Sequence, residues 1–243
     1  VILFAKMPKN GEDNHDIRFW STIKRIFSIG YYTEGVVAQF FYVGAQIGVW
    51  SFTIRIVMQE TNVIQDIQNF CHSVFSENIF GYVASTAEQT GASLYLFSII
   101  CFTIARFVFT WLMKYVRPSK LLTIAAIADI ICTLVVVLTG GSGWLLVAFL
   151  IGISFFMSLM FPTIYGISLE NVSSEDSTLG AAFLVMAIVG GSILPPLQGS
   201  IIDKQVIFGH PAVNVSFVLP LICFIAIIIY GVRCYKRGEI LAE

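Results

Sequence analysis

Five residues near the start of the chain have the types and spacing to hold a neutral polar ligand. Gln39, Tyr42, Gln46, Trp50 and Thr53 recur at three- and four-residue intervals in QFFYVGAQIGVWSFTIR. At about 100° per residue they share one side of a helix, with Gly44 and Gly48 roughly opposite. Amide, phenol and indole groups on one face suit a hydroxyl-bearing molecule. Glycines four apart on the other let a second helix approach closely. This is binding chemistry rather than bond-breaking chemistry. The chain has no HExxH, no GxSxG, no phosphate loop and no dinucleotide fingerprint. His15, His72 and His210 are far apart, and none of the five cysteines forms a CxxC pair. The expectation is no catalytic residue, no metal and no enzyme.

Other candidates lie further along. Asp129 is the only carboxylate deep in an apolar run. It reads either as a proton or cation relay or as a bundle-facing Asp bonded to a neighbouring helix, with Arg106 the available partner. Its isolation favours the second reading. Arg106 shares a helix face with Tyr95 and Phe102, and pathway lining and helix anchoring weigh equally for it. Ser154, Ser158, Phe161 and Tyr165 form a mixed hydroxyl and aromatic face, on which a sugar can stack and hydrogen-bond. Pro162 removes a backbone donor, frees a carbonyl about one turn earlier and kinks the helix. Gly190-Gly191 and Pro195-Pro196 read as a hinge or gate; close helix packing is the plainer alternative for the glycines.

All these positions fall in apolar runs. Of 243 residues, 57% are hydrophobic and 12% charged, and the mean hydropathy is +0.83. A soluble domain carries about twice that charge fraction. Lipid offers the backbone no hydrogen-bond partner, so only helices or closed barrels span it. Runs of about 20 residues without strict alternation select helices. The chain therefore reads as an all-α polytopic membrane bundle, with spans near 34–58, 91–113, 119–139, 143–168, 178–200 and 214–233. Residues 59–90 read as a long outer loop. VILFA at the start reads as the tail of a preceding helix, and 1–33 as that tail plus a cytoplasmic linker between bundles. Within the linker, Phe19–Phe27 is either a short interfacial helix or an ordinary connection. Residues 34–235 form the bundle and 236–243 a cytoplasmic tail. With the linker in the cytoplasm, eleven Lys and Arg residues lie inside and one, Lys204, outside, so both ends of the segment are expected in the cytoplasm. The net charge of -1 says nothing about partners, and no basic block marks a nucleic-acid site.

Four motifs, QFFYVGAQIGVWSFTIR, CFTIARF, FMSLMFPTIYGISLENV and AAFLVMAIVGGSILPPLQGSIID, occur in an order and spacing that resemble the carboxyl-terminal half of the fucose permease family. These are sugar:proton symporters of the major facilitator superfamily. The basic turn Lys114–Lys120 resembles a degraded form of the superfamily's loop motif. The resemblance implies one six-helix half of a twelve-helix fold, a sugar bound between halves, and alternating access in the bacterial inner membrane. It implies the amino-terminal half of the same transporter as partner, beside the lipid bilayer and a small neutral sugar. It implies no cofactor beyond the proton as coupling ion, whose carboxylates the family keeps in the amino-terminal half, so Asp129 is given no coupling role. Phe102 matches a cavity-lining phenylalanine of the family. Phe161 stands where the bacterial fucose transporter has tyrosine, which widens the expected substrate to related hexoses such as glucose or galactose. The substrate-facing set is then Gln46, Trp50 and Phe102, followed by Tyr42, Phe161 and Tyr165. Arg106, Asp129, Pro162, Gly190, Gly191, Pro195 and Pro196 are gating or structural. A transporter half for a non-sugar solute and a six-helix scaffold without cargo are the competing readings.

Overall fold

The computed structural model describes residues 19–74, 86–138, 143–170, 172–207 and 209–240. The expected helix tail at the start and His15 lie outside them. The helices are α1 (Phe19–Phe27), α2 (Gly30–Val57), α3 (Thr61–Val74), α4 (Ala87–Leu112) and α5 (Pro118–Leu138), then α6 (Trp144–Met157), α7 (Met160–Leu169) and α8 (Ser177–Met186). A 3-10 turn (Ala187–Val189), α9 (Gly190–Ile202), a hairpin of β1 (Val206–Ile207) and β2 (His210–Pro211), α10 (Ala212–Ser216) and α11 (Val218–Ile240) complete the order. Six spans are long and apolar enough to cross a membrane, with α6–α7, α8–α9 and α10–α11 each forming one. Every expected end lies within four residues of the observed one.

The first span is the hub. α2 packs against α4, α7, α9 and α11, while α5 packs against α6 and α11 behind it. Tyr42, Ile56, Leu122, Ile153, Met157 and Phe224 are fully buried between them. Large apolar side chains also point outward, among them Ile100, Ile104, Phe107 and Trp111 on α4 and Ile222, Ile225 and Ile229 on α11. Water penalises such a surface; lipid tails match it. The glycines of α2 do what their spacing predicts. Leu194 of α9 fills the space a side chain at Gly44 would need, and the Phe40 carbonyl fills that of Gly190. The two backbones close together because no Cβ intervenes.

Two spans are interrupted. The fourth breaks at Ser158 and Leu159, with Pro162 in the first turn of α7. The fifth tightens into the 3-10 turn just before Gly190-Gly191, with Pro195 and Pro196 inside α9.

The segment expected as a long outer loop contains a helix, α3, a correction with a clear cause. Val63 and Ile64 are buried, and Ile67 joins them against the core, so one face is apolar at helical spacing. The acidic residues there are engaged. Glu60 accepts from the Gly143 amide and Asp66 from the Trp144 indole, both at 2.9 Å. Gly143 has φ 62° and ψ -126°, a conformation reserved for glycine.

On the opposite side α1 is a helix. Its Ile26 packs with Tyr32 and Leu184. Arg25 grips Asp176, in the turn before α8, through two hydrogen bonds, Nε to Oδ2 at 2.7 Å. The guanidinium holds the Asp176 carboxyl below its ordinary range, and the carboxylate raises Arg25 in return.

Candidate functional site

The face of α2 opens at Gln46 and Trp50, both half-buried. The Trp50 ring meets Phe102 of α4 edge-on, centroids 5.1 Å apart at 77°, and Tyr95 at 6.4 Å. The Arg106 guanidinium lies over Phe102, 5.2 Å from its centre. One turn from Gln46 in the other direction, Tyr42 meets Phe161 of α7 at 6.1 Å. Phe161 in turn stacks on Tyr165 at 6.5 Å with the planes 9° apart. Gln46 thus sits on the helix face between two aromatic groups, one turn from each of Tyr42 and Trp50. No hydrogen bond ties its amide to another described residue, and the Trp50 indole N–H has none either.

The break in the fourth span organises the floor of this face. Pro162 has no N–H, so the Ser158 carbonyl loses its helical partner. Arg106 Nε donates to that carbonyl at 3.3 Å. The Tyr42 hydroxyl donates to the Met157 carbonyl at 3.1 Å. Side chains from α2 and α4 therefore satisfy backbone groups at the break, which a buried carbonyl requires.

The structure narrows the polar stripe seen in the sequence. Tyr42 is fully buried with its phenol committed to Met157, so it lies behind the open face. Thr53 bonds back to Val49 of its own helix. Ser154 is buried and paired with Ser98 of α4 at 2.7 Å, and Ser158 is buried as well. The hydroxyls of the fourth span serve packing, while its rings reach the face. Gly191 packs against Ile47, and Gly190 against Phe40, both behind the site on the α2–α9 contact.

The expected Arg106–Asp129 bond is absent. Arg106 is exposed and held by Phe102 and the Ser158 carbonyl. Asp129 has no accessible surface, and neither of its oxygens has a partner among the described residues. The carbonyl that Pro162 releases takes Arg106 instead, and the guanidinium stays at the exposed side of the break. Three further polar groups are buried without a partner among the described residues, the Gln39 amide and the Thr133 and Ser158 hydroxyls; of these the sequence reading passed over Thr133 alone. Thr133 follows Asp129 by four residues, a signal that a polar face continues along α5.

A six-span helical bundle with a ring-flanked polar face and broken fourth and fifth spans has the architecture of one bundle of the major facilitator fold. A solved major facilitator superfamily transporter, FucP in the outward conformation, superposes with a TM-score of 0.72 at 30% identity, over 96% of this chain and 50% of that one. The L-fucose-proton symporter of Haemophilus influenzae is 41% identical over 97% of this chain and 49% of its own length. That of Escherichia coli is 31% identical over 95% and 47%. The glucose/galactose transporter of Brucella abortus is 29% identical over 81% and 40%. No family model matches. The chain belongs to the fucose permease family of the major facilitator superfamily. It spans about half the length of the curated relatives it matches.

Proposed function

We propose that this chain is the carboxyl-terminal bundle of a bacterial inner-membrane sugar:proton symporter, working by alternating access on fucose or a related hexose such as glucose or galactose. The observation that carries the reading is the unpaired Gln46 amide between two aromatic groups. A hexose presents hydroxyls to an amide and an indole N–H, and a flat C–H face to rings. Gln46 and Trp50 would bond hydroxyls; Phe102, Phe161 and Tyr165 would stack or close the cavity. Tyr42 and Arg106 would hold the fourth-span break in place beneath them. The names of the relatives, L-fucose-proton symporter and glucose/galactose transporter, support this substrate class. The amino-terminal half of the same transporter would supply the opposing wall and the coupling carboxylates that the family keeps there. No cofactor is needed, the proton being the coupling ion. The eleven-to-one distribution of basic residues supports cytoplasmic ends.

The test is Gln46→Ala in the full-length protein. One lost hydrogen bond of about 1 kcal/mol predicts a KM for sugar uptake raised about fivefold at unchanged expression. Unaltered uptake kinetics would remove Gln46 from the site.

A further inference from the structure

Asp129 lies midway along α5, with no accessible surface and with neither oxygen bonded to any described residue. The Thr133 hydroxyl one turn on, and the Ser158 hydroxyl at the fourth-span break, are buried and unbonded as well. An ionised carboxylate there would have lost its water with no countercharge to offset the loss. A neutral carboxylic acid in the same place forgoes only hydrogen bonds, a far smaller penalty.

The surrounding groups leave no cation to pair with it. α6, α7, α10 and α11 pack against α5. α6 and α10 carry no titratable side chain; α7 brings Tyr165, and α11 brings Cys223, Tyr230 and Cys234, with Arg233, Tyr235, Lys236, Arg237 and Glu239 only toward its far end. On α5 itself Cys132 is near, and Lys120 lies two turns and more away. From α2 comes Tyr42, whose hydroxyl donates to the Met157 carbonyl. Arg106 is held by Ser158 and Phe102. Tyr42 and Arg106 are thus both fastened to carbonyls of the helix break, and neither bonds Asp129.

We propose that Asp129 is a proton-binding site of this bundle, a carboxylic acid in the closed interior that passes its proton to water when the bundle admits water to it. The O–H bond of the acid breaks, water becomes hydronium, and a carboxylate remains, solvated by the water that entered. A proton fits better than a metal cation, because a single carboxylate with one hydroxyl a turn away is a thin oxygen shell for a hard ion. The site is separate from the carboxylates that the family resemblance assigns to the other half. Its use in coupling rests on the symport reading; its protonation does not.

The experiment is infrared difference spectroscopy of the full-length protein in lipid, titrated from acid to alkaline pH. The expected result is a carboxylic-acid carbonyl band persisting at neutral pH in wild type and lost in Asp129→Asn. Should that variant fail to fold, Asp129→Glu makes the assignment by moving the band instead of removing it. A neutral-pH protein without such a band, or one whose band survives the substitution, would overturn the proposal. Thermal stability gives a second readout. Asp129→Asn should match wild type in acid and outlast it in alkali, where the wild-type acid is driven to ionise in place; an Asn variant less stable at every pH overturns the site by revealing a bonded carboxylate. A melting shift with sodium over choline that Asp129→Asn abolishes would replace the proton by a metal cation. Sugar counterflow, which needs no net proton movement, tests the symport reading alone: its absence in wild type sinks that reading and leaves the band where it was.

Discussion

Pro162 shows how one side chain can set the roles of several others. By lacking an N–H it releases the Ser158 carbonyl, which takes Arg106, and Arg106 is then unavailable to Asp129. The adjacent Met157 carbonyl takes Tyr42. Tyr42 and Gln46 therefore separate experimentally, although the sequence sets them on one face. Tyr42→Phe leaves the Met157 carbonyl short of a donor in a buried place and should cost about 1–3 kcal/mol of stability. The check is a lower melting temperature in detergent, with the KM for sugar moved less than by Gln46→Ala. A variant with intact stability and lost affinity would put the phenol on the sugar instead.

Two contacts between elements invite tests. At the α2–α9 crossing Gly190 touches the Phe40 carbonyl, and backbone cannot yield as a side-chain tip can. Gly190→Ala should destabilise by about 1–3 kcal/mol, read by thermal unfolding, because the added methyl must push two helices apart. On the cytoplasmic side expected from the charge distribution, α1 is fastened to the turn before α8 by Arg25 and Asp176. The hydrogen bonds from Arg25 hold the Asp176 carboxyl below its ordinary value of 3.8. A carboxyl lowered in the folded state stabilises at every pH above that ordinary value, and the contribution is lost as pH falls below it. Hydrogen exchange of α1 should stay slow at neutral and weakly acidic pH, quicken in stronger acid, and be fast at neutral pH in Asp176→Asn. Equal protection in that variant would show that Ile26 and its apolar neighbours hold α1 without the ion pair.

At the scale of the molecule, the spans differ in how far they are covered. Half of the most apolar window of the first, fourth and sixth spans is buried, but only 22% of the second, α4. α4 carries Phe102 and Arg106 of the candidate site and also a row of exposed apolar residues. A second bundle facing this side, as proposed, would cover part of that surface and close the site. Reconstituted alone in vesicles, the chain should show no proton-driven sugar uptake. Uptake should appear when it is joined to the amino-terminal bundle of a fucose permease relative. Coupled uptake by the chain alone would require a different arrangement.

Much of the bundle was legible because lipid leaves the backbone so few choices. A run of about 20 apolar residues must be a helix, and helical spacing then sets Gln46 beside Trp50 and Gly44 beside Gly48. The helix α3 was missed because a short amphipathic segment outside the membrane is not compelled in this way. Its apolar residues form a face only if something is there to receive them. The stacking of Phe161 on Tyr165, four apart on one helix, follows from a face that the sequence displays; the meeting of Trp50 with Phe102, on different spans, does not. Which polar groups are spent inside the bundle does not follow either. Tyr42, Ser154 and Arg106 found partners on other spans, whereas Asp129 and Gln39 found none. Periodicity determined the direction of each side chain from its own helix. Only the tertiary structure decided what stood opposite, because a hydrogen bond depends on the distance between two helices and no single helix contains that distance.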